Sequence, residues 1–213
     1  MFPALYAILD ADQAGGANAS LARVLSGAGV ELIQIRDKKA STRKLFDASK
    51  RLVEALSPVG VRVIVNDRPD IAAMMGAGGV HVGQEDLPVE AVRKICAAPC
   101  WVGVSTHNLD QLREANLTSA DYIAMGPIFQ TATKENPDPV VGLELLRAAR
   151  QLTEKPLVAI GGITVESAET LYRAGADSVA VVQDLISVGD PARRAREYLS
   201  IAQLVLSHRA GRA

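Results

Sequence analysis

The chain is short of the features that would place it outside the ordinary globular interior of a cell. Its 23 Lys and Arg nearly balance its 24 Asp and Glu, for a formal charge of −1. There is therefore no global attraction to nucleic acid or to an anionic membrane, and neither is expected as a partner. Any anion must be held by locally placed groups. No apolar run is long enough to span a bilayer. The opening MFPALYAILDADQ has neither a basic start nor a long apolar core, so no signal peptide is expected. Only two cysteines occur, Cys96 and Cys100 in CAAPC, and no second Cys/His pair completes a zinc set. Two reduced thiols and a cytoplasmic location are the expectation. No Pro/Gly/Ser-rich linker, low-complexity tract or composition shift marks a boundary, so residues 1–213 form one domain, with a tail expected to fray from about 207.

What the sequence does have is a regular alternation. Short apolar, β-branched runs occur at 5–10, 32–36, 61–66, 79–82, 101–105, 121–126, 157–161 and 178–182. Amphipathic segments lie between them. NASLARVLSGAG stops at glycine. STRKLFDASKRLVEALSPVG has Ser41 or Thr42 as N-cap and Pro58 past its end. DRPDIAAMMGAG, NLDQLREANL, GLELLRAARQL, TVESAETLYRAGAD and the closing PARRAREYLSIAQLVLSH follow. Parallel returns need crossovers, and eight such units in this length predict a single-domain (β/α)8 TIM barrel of the α/β class. A doubly wound open sheet is the rival. In the closing helix, RRAR is expected to be a solvated basic face, and the other side allows a homo-oligomer.

The second run, GVELIQIRDK, starts as a buried strand and ends with an amide and two cations. Alternate residues of a strand share a face. Ile33 and Ile35 would meet the helices, and Gln34, Arg36 and Lys38 would face the barrel interior, rising toward the C-terminal mouth where barrel active sites lie. Cations there need an anion beside them. That anion is either a ligand or a barrel acid in a structural ion pair.

Adjacent strand ends carry carboxylates. The third strand ends VNDRPD, with Asn66 on the face of Ile64 and Asp67 at the mouth; the fourth runs GVHVGQED, placing Asp86 in its loop. Two carboxylates with phosphate oxygens and water make a Mg²⁺ site. The alternative is that Asp67, and Asp86 or Glu85, cap helices. Joined to Arg36 and Lys38, they favour a metal–diphosphate site. Ser105 lies on the parity of Gly103. His107 sits beside a helix start, His81 on the inward parity of its strand as a satisfied core histidine, and His208 in the tail. After strand six, GPIFQTATKENPDPVVG is long for a βα loop, and its TATK supplies two hydroxyls and a cation. Strand seven ends AIGGIT, where paired glycines allow close backbone approach. Loops after strands seven and eight commonly build a phosphate site. Two anion sites are thus expected, one of cations and carboxylates near strands two to four, and one of backbone near strands seven and eight.

These stretches in order, QIRDK, VNDRPD, GVHVGQED, GVSTHN, GPIFQTATK, AIGGI and GADSVAVV, resemble thiamine phosphate synthases over about residues 4 to 186. The resemblance implies a barrel enzyme, a transferase of thiamine biosynthesis. It would join a pyrimidine diphosphate to a thiazole phosphate, plain or carboxylated, giving thiamine phosphate and diphosphate with one Mg²⁺ per active site. Gln34, Arg36, Lys38 and Asn66 resemble residues that hold the pyrimidine diphosphate, joined by Ser105 and Lys134. Asp67 and Asp86 resemble its metal ligands. Thr131, Thr133, Gly162 and the Val182–Gln183 pair resemble contacts to the thiazole phosphate. Arg36, Lys38, Lys134 and Ser105 would be the catalytic groups of a dissociative substitution. At Gln183 the chain departs from the family, which usually has a small hydroxyl residue there; a backbone N–H contact would survive the change and a side-chain hydroxyl contact would not. A thiazole tautomerase-like isomerase and a non-catalytic thiamine phosphate-binding barrel are the alternatives. A phosphosugar isomerase would need an acid/base pair that is not found.

Overall fold

The computed structural model describes residues 2–11, 18–131 and 139–210. Eight parallel strands close on themselves in chain order: β1 (Leu5–Asp10), β2 (Leu32–Arg36), β3 (Arg62–Asn66), β4 (Gly79–Val82), β5 (Trp101–Thr106), β6 (Tyr122–Met125), β7 (Leu157–Ile160) and β8 (Ser178–Val181). Around them run α1 (Ala19–Gly27), α2 (Thr42–Leu56), α3 (Pro69–Met75), α4 (Val89–Ile95), α5 (Leu109–Leu117), α6 (Gly142–Arg150), α7 (Val165–Arg173), α8 (Gln183–Ile186) and α9 (Pro191–Ala210). The (β/α)8 barrel is closed, so no open doubly wound sheet exists: β8 pairs with β1 through Leu5↔Val179 and Ala7↔Val181.

Helix starts follow the local chemistry. Ser41 caps α2, its side chain accepting from the Lys44 N–H, and Asn18 and Asn108 do the same for α1 and α5. Thr164 and Ser167 form a reciprocal capping box at α7. The closing helix α9 runs to Ala210. No helix among the described residues is long and apolar enough to cross a membrane.

The strand parity divides the core in two. Ile33, Ile35, Val63, Val65, Val80, Val102 and their counterparts pack between sheet and helices. Inside the barrel a smaller cluster gathers Tyr6, Ile8, Leu32, Ile64, Tyr122, Ala124, Val158 and Ala180. The N-terminal end of the barrel is closed by aromatics: Phe2 stacks on Trp101 at 5.2 Å, and the Arg62 guanidinium lies 3.7 Å over the indole. The floor is thus filled, and polar side chains accumulate toward the opposite rim.

One interior position is set by an absence. Gly103 on β5 is in register with both Tyr122 and His81. A Cβ at Gly103 would lie 2.0 Å from Cζ of Tyr122 and 2.4 Å from its Oη, so the phenol occupies the space a side chain would take. Gly103→Ala is expected to lower stability by about 3 kcal/mol or more, at the upper end for overpacking, because the ring has rigid neighbours on the far side. Urea denaturation of the variant checks this; an unchanged midpoint would show that the ring can move aside.

Candidate active site

The strand ends around β1–β4 build the first half of the site. Arg36 closes β2 and pairs with Asp10, its registered neighbour at the end of β1. The Asp10 side chain is fully buried and that of Arg36 is 15% exposed. Asp10 was not among the expected site residues. Its signal was its position: the last inward-parity residue of β1, beside a cation that needs an anion. The guanidinium is therefore held by a barrel acid, but at the mouth end of both strands.

Lys38 lies just beyond β2 and reaches Asp67, with Nζ 3.2 Å from the carboxylate. The Asp86 carboxylate lies beside Asp67, close enough to act on it directly. Its own backbone has φ +58, a left-handed conformation in which a non-glycine residue is uncommon. The Asp67 N–H donates to the His81 carbonyl at 2.8 Å, which holds this bend against β4. Asp86 accepts from the Gly83 N–H at 2.7 Å. Neither acid caps a helix: α3 begins after Arg68 and α4 after Pro88, both without a side-chain cap. Burial, and then the neighbouring Asp86, push the Asp67 carboxyl up; Lys38 opposes this only in part. Arg68, which follows Asp67 directly in the chain, is taken up by a two-pronged contact to Asp70 at 2.9 and 2.6 Å.

The charges at this rim decide what it can bind. Arg36 and Lys38 face Asp10, Asp67 and Asp86, two cations against three carboxylates. Fixed positive charge on the described residues does not exceed the negative. Asp67 and Asp86 instead offer hard oxygen donors side by side, and the crowding raises the Asp67 carboxyl. Such a pair fits a divalent ion completed by phosphate oxygens and water. Among the described residues no group of three or more His, Cys, Asp or Glu gathers as a complete protein cage.

Deeper in the barrel, Gln34 is 3% exposed and donates through Nε2 to the Tyr6 hydroxyl at 2.5 Å. Asn66 ends β3 in register with His81. Ser105 lies at the top of β5, its Oγ 2.8 Å from His81 Nε2, while its carbonyl accepts from Gln84 Nε2 at 2.6 Å. His81 is buried, and both of its ring nitrogens are engaged. His107 has Nδ1 2.5 Å from the Gly126 carbonyl and belongs to the β5–β6 connection.

The second half of the site lies at β6–β8. Gly161 and Gly162 have φ +98 and +64. A Cβ on Gly162 would fall 2.3 Å from the Gln130 carbonyl oxygen, and one on Gly161 would fall 2.5 Å from Pro127 Cβ. The close approach expected for a ligand is thus first an approach of two loops. The N–H groups of Ile128 and Phe129 donate to the carbonyls of Ile160 and Gly161. This zipper brings Phe129 and Gln130, the residues just before Thr131, against Gly162. Val182 and Gln183 open the short helix α8, whose Asp184 receives the Val165 N–H at 3.0 Å and the Tyr198 hydroxyl at 2.7 Å. Asp184 ties the β7 and β8 loops together, a role no local pattern signals. Arg194 of the RRAR stretch is 21% exposed and lies 3.6 Å from Asp184, so it is paired where a solvated face was expected. Thr133 and Lys134 lie outside the described residues.

Residues 5–185 match the thiamine monophosphate synthase family. The chain belongs to that family. It is 49% identical over 204 residues to the thiamine-phosphate synthase of Koribacter versatilis, covering 93% of this chain and 95% of the other. To the thiamine-phosphate synthase of Chloroflexus aurantiacus it is 40% identical, covering 93% and 94%. In three dimensions it is similar to the thiamine phosphate pyrophosphorylase of Pyrococcus furiosus. The TM-score is 0.85 at 31% identity, over 95% of this chain and 96% of that one. The enzyme condenses a pyrimidine with a thiazole phosphate to form thiamine phosphate.

Proposed function

We propose that the condensation is a dissociative substitution in which diphosphate leaves the pyrimidine methylene, assisted by one Mg²⁺ on Asp67 and Asp86. The observation that carries this reading is the approach of Asp67 to Asp86 beside Lys38, at a strained backbone position on the barrel mouth. Strain and like charge in a small volume persist where function requires them. Bound there, Mg²⁺ supplies charge neutralisation for the diphosphate.

The chain's own residues do the rest. Asp10 fixes the Arg36 fork, so the guanidinium meets a phosphate without searching rotamers. Lys38, 55% exposed, is able to swing from Asp67 toward a phosphate oxygen. Gln34, Asn66 and Ser105 surround the pyrimidine. Thr131, Thr133, Gly162 and the N–H groups at Val182–Gln183 hold the thiazole phosphate. At the start of α8 a backbone donor is available whatever side chain follows it, which accommodates Gln183 in place of a small hydroxyl residue. Placing both heterocycles in line lowers the barrier through orientation, and no covalent protein nucleophile is required.

The test is diphosphate release from the two substrates after chelation of divalent ions and again after Mg²⁺ is restored. Release should vanish and return; release undiminished by chelation sinks the metal-assisted reading. Lys134→Ala should lower turnover much more than it weakens thiazole phosphate binding. Equal losses in both would assign Lys134 to binding alone.

A further inference from the structure

Five interior side chains from five different strands form one continuous hydrogen-bonded chain across the barrel. Gln34 on β2 donates to Tyr6 on β1 at 2.5 Å; Tyr6 meets Tyr122 on β6 at 3.0 Å. Tyr122 meets His81 Nδ1 on β4 at 3.0 Å, and His81 Nε2 meets Ser105 on β5 at 2.8 Å. The two ends are residues that the proposed function places on the pyrimidine. The three middle members have no assigned part in the reaction.

With the Gln34 amide nitrogen facing Tyr6 as the starting donor, counting protons gives the chain one consistent sense. A phenol has one to donate. The Tyr6 oxygen accepts from the Gln34 amide nitrogen, so its proton goes to Tyr122. The Tyr122 proton then goes to His81 Nδ1. With Nδ1 accepting, Nε2 carries the ring proton and donates to Ser105 Oγ. The Ser105 hydroxyl must direct its own proton elsewhere. At the other end, Gln34 spends one of its two amide N–H groups on Tyr6 and keeps its amide oxygen as an acceptor for what lies beyond the chain. All four bonds run in one direction, an arrangement in which each strengthens the next.

We propose that Tyr6, Tyr122 and His81 are positioning residues that set which hydrogen-bonding group each end offers the pyrimidine substrate: an acceptor at Gln34 and a donor at Ser105. An aminopyrimidine carries the complement, an exocyclic amine that donates and substituent or ring atoms that accept. The inference rests on the reading of Gln34 and Ser105 as pyrimidine contacts.

Two features show that the path is built into the fold. Gly103 lies in register between His81 and Tyr122, and its missing side chain is the space through which they meet. Burial also pushes both phenols well above their ordinary range, so they remain protonated links. A barrel needing only bulk at these levels would be filled by Leu or Phe with no bond to satisfy.

The deciding variant is Tyr122→Phe, which removes the central hydroxyl and keeps the ring. Steady-state kinetics should show kcat/KM for the pyrimidine diphosphate falling by roughly tenfold or more, as for loss of a buried hydrogen bond of this kind. KM for the thiazole phosphate should stay within about twofold. A second arm uses the pyrimidine diphosphate whose amino group is replaced by oxygen, reversing the donor. The wild-type enzyme should discriminate strongly against it, and Tyr122→Phe should lose much of that discrimination. An unchanged ratio, or equal losses for both substrates, overturns the proposal. Tyr6→Phe, which breaks a different link, gives the same readout if Tyr122→Phe does not fold. Gln34→Ala and Ser105→Ala separate the two levels of the argument. If neither alters pyrimidine kinetics, the placement of the pyrimidine is wrong. If both do and Tyr122→Phe does not, only the relay fails.

Discussion

Asp67→Ala is expected to raise the Mg²⁺ concentration for half-maximal activity by about 100-fold or more. Losing even an outer-shell partner of a metal costs about 10–100-fold, and Asp67 is proposed to touch the ion. Asp67→Asn sharpens the test. It removes the like-charge approach to Asp86 and suits a left-handed backbone better than most residues, since Asn is enriched there. The metal-free Asn variant should therefore be at least as stable as wild type near neutral pH, while its Mg²⁺ requirement rises. The ion pair it loses with Lys38 is exposed and worth at most about 1 kcal/mol. The pH dependence has a definite sign. With the Asp67 carboxyl pushed up in the folded state, the metal-free protein holds more protons than the unfolded chain. Its stability contribution therefore falls as pH rises from the ordinary carboxylate range, about 4, through the raised value. Metal binding competes with the same proton, so Mg²⁺ affinity should fall as pH is lowered through that window. Mg²⁺ titrations monitored by thermal unfolding at several pH values follow both effects. A normal Mg²⁺ requirement in Asp67→Ala would remove Asp67 from the metal shell.

Asp10→Ala should be the most damaging substitution outside the proposed ligand contacts. It leaves Arg36, largely buried at the end of β2, without the carboxylate that holds it. Removing one partner of a buried pair costs about 3–5 kcal/mol, and the 15% exposure of Arg36 places this case toward the lower figure. Activity should fall as well, because an unheld guanidinium no longer presents a fixed fork. The double replacement Asp10→Leu with Arg36→Leu distinguishes a structural pair from a functional one. Apolar replacement of both partners is often neutral for stability. The double variant should recover much of the stability and none of the pyrimidine diphosphate affinity. If affinity returned with stability, the pair would be purely structural.

Much of this was legible in the chain itself. All eight strands lie where short β-branched runs predict them, most within one residue, because parallel barrel strands are buried on both faces and carry a strong composition signal. The inward parity of Gln34, Arg36, Ser105 and His81 follows from the two-residue repeat alone. The four-residue α8 was not among the amphipathic segments, being too short for a periodic pattern to emerge, and α4 was expected only as a helix that Asp86 or Glu85 would cap. QIRDK shows two cations at a strand end and leaves open which anion stands beside them. Its arginine is matched by Asp10, which lies 26 residues away and meets it only through strand pairing.

The amino-acid sequence on its own determined the barrel, its single-domain extent along the matched region, and the types of group at each strand end. These depend on local composition and a fixed repeat, both of which act over a few residues. Only the tertiary structure decided which acid holds Arg36, that Asp67 leans on Asp86, that two glycines serve a loop zipper, and that Tyr6 and Tyr122 join Gln34 to Ser105. Each of those is a contact across the closed sheet between residues far apart in the chain. Such contacts depend on barrel closure and strand stagger, which no stretch of sequence encodes locally.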